Sequence, residues 1–166
     1  MGAPFDSRSL LHGTLLSLHL LGVAVWIGAG LYDLFLAREI ARARGTPAEV
    51  VLARVYVRYG PVIVAAVFTV AASGALQTWL FGWRWLALDW LGAKQALMAV
   101  ALAVLSGLFP SFARMSRAVR ALPAGAAELS AEARSELARV RPWLGVVRAC
   151  ALTALVLAAC RPLEAR

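Results

Sequence analysis

Four long apolar runs, at about 10–37, 59–82, 91–110 and 143–160, alternate with shorter stretches rich in arginine, tryptophan or proline. Each run supplies the roughly 20 mostly apolar residues that an α-helix needs to cross hydrocarbon. The pattern predicts an all-α integral membrane four-helix bundle. Thr46-Pro47-Ala48-Glu49 reads as a capping box, with Thr as N-cap, Pro at N1 and Glu at N3. A helix is therefore expected to start near residue 47 and run into the second span, with Pro61 as a point of kinking. Gly74, beside Ala72, Ser73 and Ala75, marks a place where a neighbouring backbone can come close. Between the third and fourth runs, Phe112, Met115, Val119 and Leu122 recur at helical spacing with Arg114, Arg117 and Arg120 among them. That spacing predicts a short amphipathic helix lying in the headgroup region. Pro123-Ala124-Gly125 ends it, and Ser130 caps a second short helix through Val140. The expected organisation is one bundle over 1–166 with a cytoplasmic amphipathic segment at 111–140.

Composition agrees with this pattern. Of 166 residues, 61% are hydrophobic and 16% charged, more apolar than a soluble domain. The net charge of +8 would suit a nucleic-acid binder, but its distribution points elsewhere. Arg38, Arg42, Arg44, Arg54 and Arg58 surround the first connection, and Arg114, Arg117, Arg120, Arg134, Arg139, Arg141 and Arg148 the third. The second connection has Arg84, with Lys94 just inside the next run, and the N-terminus has Arg8. The positive-inside rule then predicts a multi-pass protein of a bacterial-type inner (cytoplasmic) membrane with both termini outside. Its basic face would meet anionic lipids, and nucleic acid is not expected as a partner. Trp79, Trp83, Trp85 and Trp90 around the second connection read as an interfacial aromatic belt. The first run is too long for a signal-peptide core and its flanking charge is inverted, so it is expected to be retained. Cys150 and Cys160 are separated by about 15 Å of rise and 80° of rotation on one helix, so they cannot bond each other and read as structural thiols.

The candidate chemistry sits on the first run. His12, His19, Trp26 and Asp33 recur every seven residues and share one helix face, drifting about 20° per heptad. Ionisable groups in an apolar helix usually face a bundle interior, a cofactor or a cavity, and both histidines of the chain are on this stripe. His19 suits a haem iron, a metal or a proton site, with Gly22 leaving room for a flat macrocycle and Trp26 able to pack on it; a buried histidine bonded to a neighbouring helix is the plain alternative. Topology puts Lys94, Gln95 and Gln77 at a depth similar to His12 and His19, as one outer-leaflet pocket. Lys94 would meet an anionic group or snorkel to the headgroups. Asp33, near the other side, is expected in a structural ion pair with Arg58 or Arg148. A soft copper relay needs Met or Cys clusters, and the methionines are Met1, Met98 and Met115.

The stretch Leu18-His19-Leu20-Leu21-Gly22-Val23-Ala24-Val25-Trp26-Ile27-Gly28-Ala29-Gly30 resembles the first helix of the HemJ-type protoporphyrinogen IX oxidases and CopD-type copper-resistance membrane proteins. These carry a histidine followed seven residues later by tryptophan and then small residues. Arg58 to Pro61 followed by Gly74, Trp90-Leu91-Gly92-Ala93-Lys94, and Arg161-Pro162-Leu163 resemble later parts of the same family. The resemblance implies a four-helix bundle binding haem b, with His19 as iron ligand and Lys94 as the third-helix lysine. It implies a membrane redox protein passing electrons between haem and quinone or a protein partner, with a porphyrinogen, oxidised to the porphyrin, as a candidate substrate. The chain departs from the pattern at Ala37-Arg38 and Ser106-Gly107, where the family has histidines, and at Arg141-Pro142-Trp143, where it has Asn-Glu-x-Pro. These departures bear harder on porphyrinogen oxidation than on haem binding, for which Met98, or His12 of another protomer, is a candidate second ligand. Two alternatives stand beside this reading: a non-enzymatic copper import or resistance component using His12 and His19, about 10.5 Å apart along the helix, and a structural subunit of a homo-oligomer or larger membrane complex.

Overall fold

The computed structural model describes residues 7–160; Arg161-Pro162-Leu163 lies outside them. Four helices account for nearly all of that span: α1 (Ser7–Arg42), α2 (Pro47–Leu80), α3 (Trp90–Arg120) and α4 (Ala131–Ala159). Each is long and apolar enough to cross a membrane, and the chain is an all-α four-helix membrane bundle. α1 lies along α2 and α3 along α4, and the two hairpins meet along α2–α3 and, more sparingly, α1–α4. Leu21, Phe35, Phe68 and Val156 are exposed on the outside, as befits a surface whose solvent is lipid rather than water.

Local chemistry sets the helix ends. Gly45, at φ +77°, turns the chain after α1. Thr46 is the N-cap of α2 and Pro47 occupies the first turn. The capping box forms only in part. The Thr46 hydroxyl donates back to the Ala43 carbonyl at 2.6 Å, and the Glu49 carboxylate accepts from Gly45 N–H at 3.0 Å. The Thr46 N–H is already bound to Ala43 O at 3.1 Å, so it is not available to Glu49. At the other connection Gly82 has φ +68°, Asp89 caps α3 by accepting from Gly92 N–H at 2.9 Å, and Ser130 caps α4 by accepting from Ala133 N–H at 3.2 Å.

The segment 111–140 is not a pair of separate surface helices. α3 runs unbroken through Pro110 to Arg120, and α4 begins at Ala131 and runs unbroken through Pro142. The apolar stripe assigned to the headgroups is turned inward instead. Met115 and Val119 of α3 are buried in one cluster with Leu129, Ala133, Leu137 and Val140, and with Ala53 and Val57 of α2. Neighbouring helices cover Met115 and Val119, and Phe112 and Leu122 are partly buried against the same cluster. The ten residues of α3 beyond Pro110 add about 15 Å to the bundle at its basic end.

Arginines tie the hairpins together there. Arg134 of α4 makes a two-pronged pair with Glu49 of α2, at 2.8 and 3.0 Å. Within the second hairpin, Arg114 of α3 reaches Glu136 of α4 at 2.7 Å. Arg54 of α2 donates to the Leu122 and Pro123 carbonyls at 2.9 and 2.8 Å, closing the end of α3. Arg141 donates to the Ala37 carbonyl of α1 at 3.2 Å, and Arg148 pairs with Asp33. Two-pronged arginine–carboxylate pairs are geometrically specific, so part of the basic charge fixes helix register. Glu49 lies ten residues before the apolar stretch of α2, and the Arg134 guanidinium holds its carboxyl well below the usual carboxylate range.

Candidate functional site

The seven-residue stripe of α1 faces the bundle, but it divides among four environments rather than lining one pocket. His12 is half-buried and sits edge-on to Phe81, with ring centroids 4.7 Å apart. Its Nδ1 is buried without a hydrogen-bond partner among the described residues. Trp26 is buried within the core cluster. Asp33 is buried and paired with Arg148; Arg58, its other expected partner, is exposed and takes no part in that pair.

His19 is held most closely. Its Nδ1 lies 3.0 Å from Ser73 Oγ on α2. The ring rests on Gly74, where an added Cβ would come within 3.3 Å of Cε1. Glycine at 74 thus makes the notch that admits the imidazole, and serine at 73 supplies its polar contact. Around this pair α2 carries a seam of buried polar residues: Ser73, Gln77 and Thr78. Ser73 donates to the Thr69 carbonyl at 2.6 Å, Gln77 to Ser73 O at 3.3 Å, and Thr78 to Gly74 O at 2.9 Å. These are bonds back to the helix's own carbonyls, the usual way an apolar helix accommodates hydroxyls. Gln95 of α3 extends the seam, donating to Thr78 Oγ1 at 3.4 Å and accepting from Leu86 N–H at 2.6 Å. Leu86 has φ +49°, a left-handed conformation that is strained for leucine, and Gln95 secures it.

The expected outer pocket is therefore realised in part. Gln77 and Gln95 both join the seam that holds His19. Lys94 is half-buried, and its ammonium lies 5.2 Å from the centre of the Trp90 ring, within cation–π range. The room expected beside Gly22 is not there. An added Cβ at Gly22 would come 2.9 Å from Val70 Cγ2 and 3.3 Å from the Val70 nitrogen, so this glycine serves the close approach of α1 and α2. Met98 is partly buried against the core. Ser73 and Thr78 are the residues that sequence reasoning missed. Their signal was the i, i+4 pairing of Ser73 with Gln77 on one face of an otherwise apolar helix. Cys150 is buried and Cys160 exposed, both as free thiols.

Chemically, the arrangement offers one imidazole in the apolar zone, fixed through one nitrogen and wedged against glycine, with a lysine and a tryptophan toward the same end. Comparison of the chain with protein-family models, with curated proteins and with solved structures gives no match.

Proposed function

We propose that this chain is a haem-b-binding membrane redox protein in which His19 is the axial ligand. The observation that carries this reading is the contact of His19 Nδ1 with Ser73 Oγ at 3.0 Å. A metal-bound histidine characteristically engages its other ring nitrogen in a hydrogen bond that fixes ring orientation. The donor set suits the group, with an imidazole held through one nitrogen in an apolar span and Lys94 on α3 as the cation for an anionic substituent; the group would lie on a side of His19 away from Gly22, where Val70 fills the space. The bound group would supply one-electron chemistry, with its potential set by axial ligand and surroundings. The chain's own part is to orient the imidazole, keep it dry and hold the positive charge of Lys94 near Trp90.

Electron partners on this reading are quinone or another membrane protein, and a porphyrinogen would enter as the electron donor. The membrane is a bacterial-type inner membrane with both termini outside. The support is charge: among the described residues Arg38, Arg44, Arg58, Arg117 and Arg120 lie at the basic end outside the ties described above, available to anionic lipid, while Trp79, Trp83 and Trp85 are exposed at the opposite end.

The test is an absorption spectrum of detergent-purified protein from haem-replete cells, air-oxidised and then reduced with dithionite. A Soret band that shifts on reduction, with sharpened α and β bands, is expected. A featureless spectrum overturns the haem reading and directs attention to copper stoichiometry and co-purifying partners.

A further inference from the structure

Ser73 has one hydroxyl hydrogen. The Ser73 Oγ lies 2.6 Å from the Thr69 carbonyl oxygen, with the Val70 carbonyl oxygen at 3.2 Å; both are pure acceptors. With its hydrogen committed to the backbone of α2, the oxygen has only lone pairs left to offer His19, so the contact requires the imidazole to be the donor. A neutral imidazole carries a single N–H. That hydrogen is then on Nδ1, and Nε2 keeps its lone pair.

We infer that Ser73 is a positioning residue that fixes His19 as the Nδ1–H tautomer, making Nε2 the atom offered to a metal centre. The backbone of α2 acts through the hydroxyl: a helix carbonyl orients the serine, and the serine orients the ring. Gly74 is the steric half of the same device, because any larger residue would press on Cε1 and Nδ1. The assignment of the tautomer stands on the geometry alone. The assignment of Nε2 as a ligand rests on the haem reading above.

The experiment uses protein labelled with nitrogen-15 at histidine, purified in detergent without haem, and multiple-bond proton–nitrogen correlation. With two histidines in the chain, His12→Gln identifies the His19 signals. The expected spectrum shows His19 protonated at Nδ1. Ser73→Ala should let the Nε2–H form gain population, and Ser73→Thr, which keeps the hydroxyl, should restore the original pattern. On the haem-loaded protein Ser73→Ala should weaken binding about 10–100-fold and raise the reduction potential, because the ring loses the acceptor that makes it a stronger donor. An Nε2–H tautomer in the unmodified protein overturns the inference, and so does an unchanged Nδ1–H tautomer in a folded Ser73→Ala variant. Should that variant fail to fold, the unmodified protein's spectrum decides. Haem absent with the Nδ1–H tautomer present would sink the haem reading and leave the role of Ser73 standing; haem bound with the Nε2–H tautomer in the apoprotein would do the reverse.

Discussion

Arg148 of α4 and Asp33 of α1 form an ion pair inside the bundle although 115 residues separate them in the chain. The Asp33 side chain is only 5% exposed. Its Oδ1 and the Tyr56 hydroxyl of α2 are both buried beside the pair.

Removing one partner of such a pair strands the other charge. Asp33→Ala should destabilise the bundle by roughly 3–5 kcal/mol, and Asp33→Asn, which keeps shape and one acceptor, by less. On the haem reading, both variants should retain the group. Thermal unfolding in detergent, followed by circular dichroism beside haem content, checks this. An unchanged melting temperature in Asp33→Ala would show that the pair contributes nothing.

Two glycines of one helix should behave oppositely. Gly22→Ala puts a methyl 2.9 Å from Val70 Cγ2, and overpacking of that kind costs about 1–3 kcal/mol. Gly28→Ala meets nothing within 4 Å, so it should be neutral or stabilising by up to about 1 kcal/mol through helix propensity. Melting temperatures of the two variants, compared in one detergent, decide the matter; equal effects would contradict the close approach of α1 and α2.

Glu49 gives a pH dependence of known sign. Because Arg134 holds its carboxyl down from an ordinary value of 4.5 to about 2, its contribution to stability is complete above pH 4.5. It is lost as pH falls toward 2. Glu49→Gln should cost roughly 1.5–3 kcal/mol near neutrality, the scale of a hydrogen bond to a charged group. The difference between variant and unmodified protein should shrink as the solution is acidified over that window. A difference that stays constant with pH would exclude the ion pair as its source.

On the proposed haem reading, His19→Ala should abolish binding of the group while His12→Ala leaves most of it, as read from the Soret absorbance per protein in reduced samples. Loss confined to His12→Ala would move the ligand to the outer ring beside Phe81.

Cys160 is exposed and Cys150 buried, so a membrane-impermeant maleimide should modify the former and spare the latter. On the proposed topology, which puts the C-terminus outside, labelling of spheroplasts should proceed without permeabilisation. A requirement for permeabilisation would invert the topology.

The number and kind of helices were legible because the requirement for about 20 apolar residues leaves a mark that no packing detail obscures. The ends were less so. Met115 and Val119 alternate with arginines in a way that suits either a lipid surface or a bundle interior, and only the opposing stripe of α4 and the Arg114–Glu136 pair decide between them. At the candidate site, His19 and Asp33 stood out because charge in an apolar run is rare. Ser73 did not: a serine flanked by alanine and glycine reads as a small packing residue until the helix facing it is known. Gly22 shows the converse. A missing side chain is visible in sequence, but what fills the gap depends on Val70, forty-eight positions away.

The tie between Asp33 and Arg148 also sets an order of events during synthesis. α1 places a carboxylate in the apolar zone long before its cation exists; at about 5–20 residues per second, the 115 positions from Asp33 to Arg148 take about 6 to 23 s. Through that interval the nascent chain carries a charge that hydrocarbon disfavours, and arrival of α4 removes it. A chain cut short before its fourth helix therefore has Asp33 without its Arg148 partner, and must leave that carboxyl protonated or in contact with water.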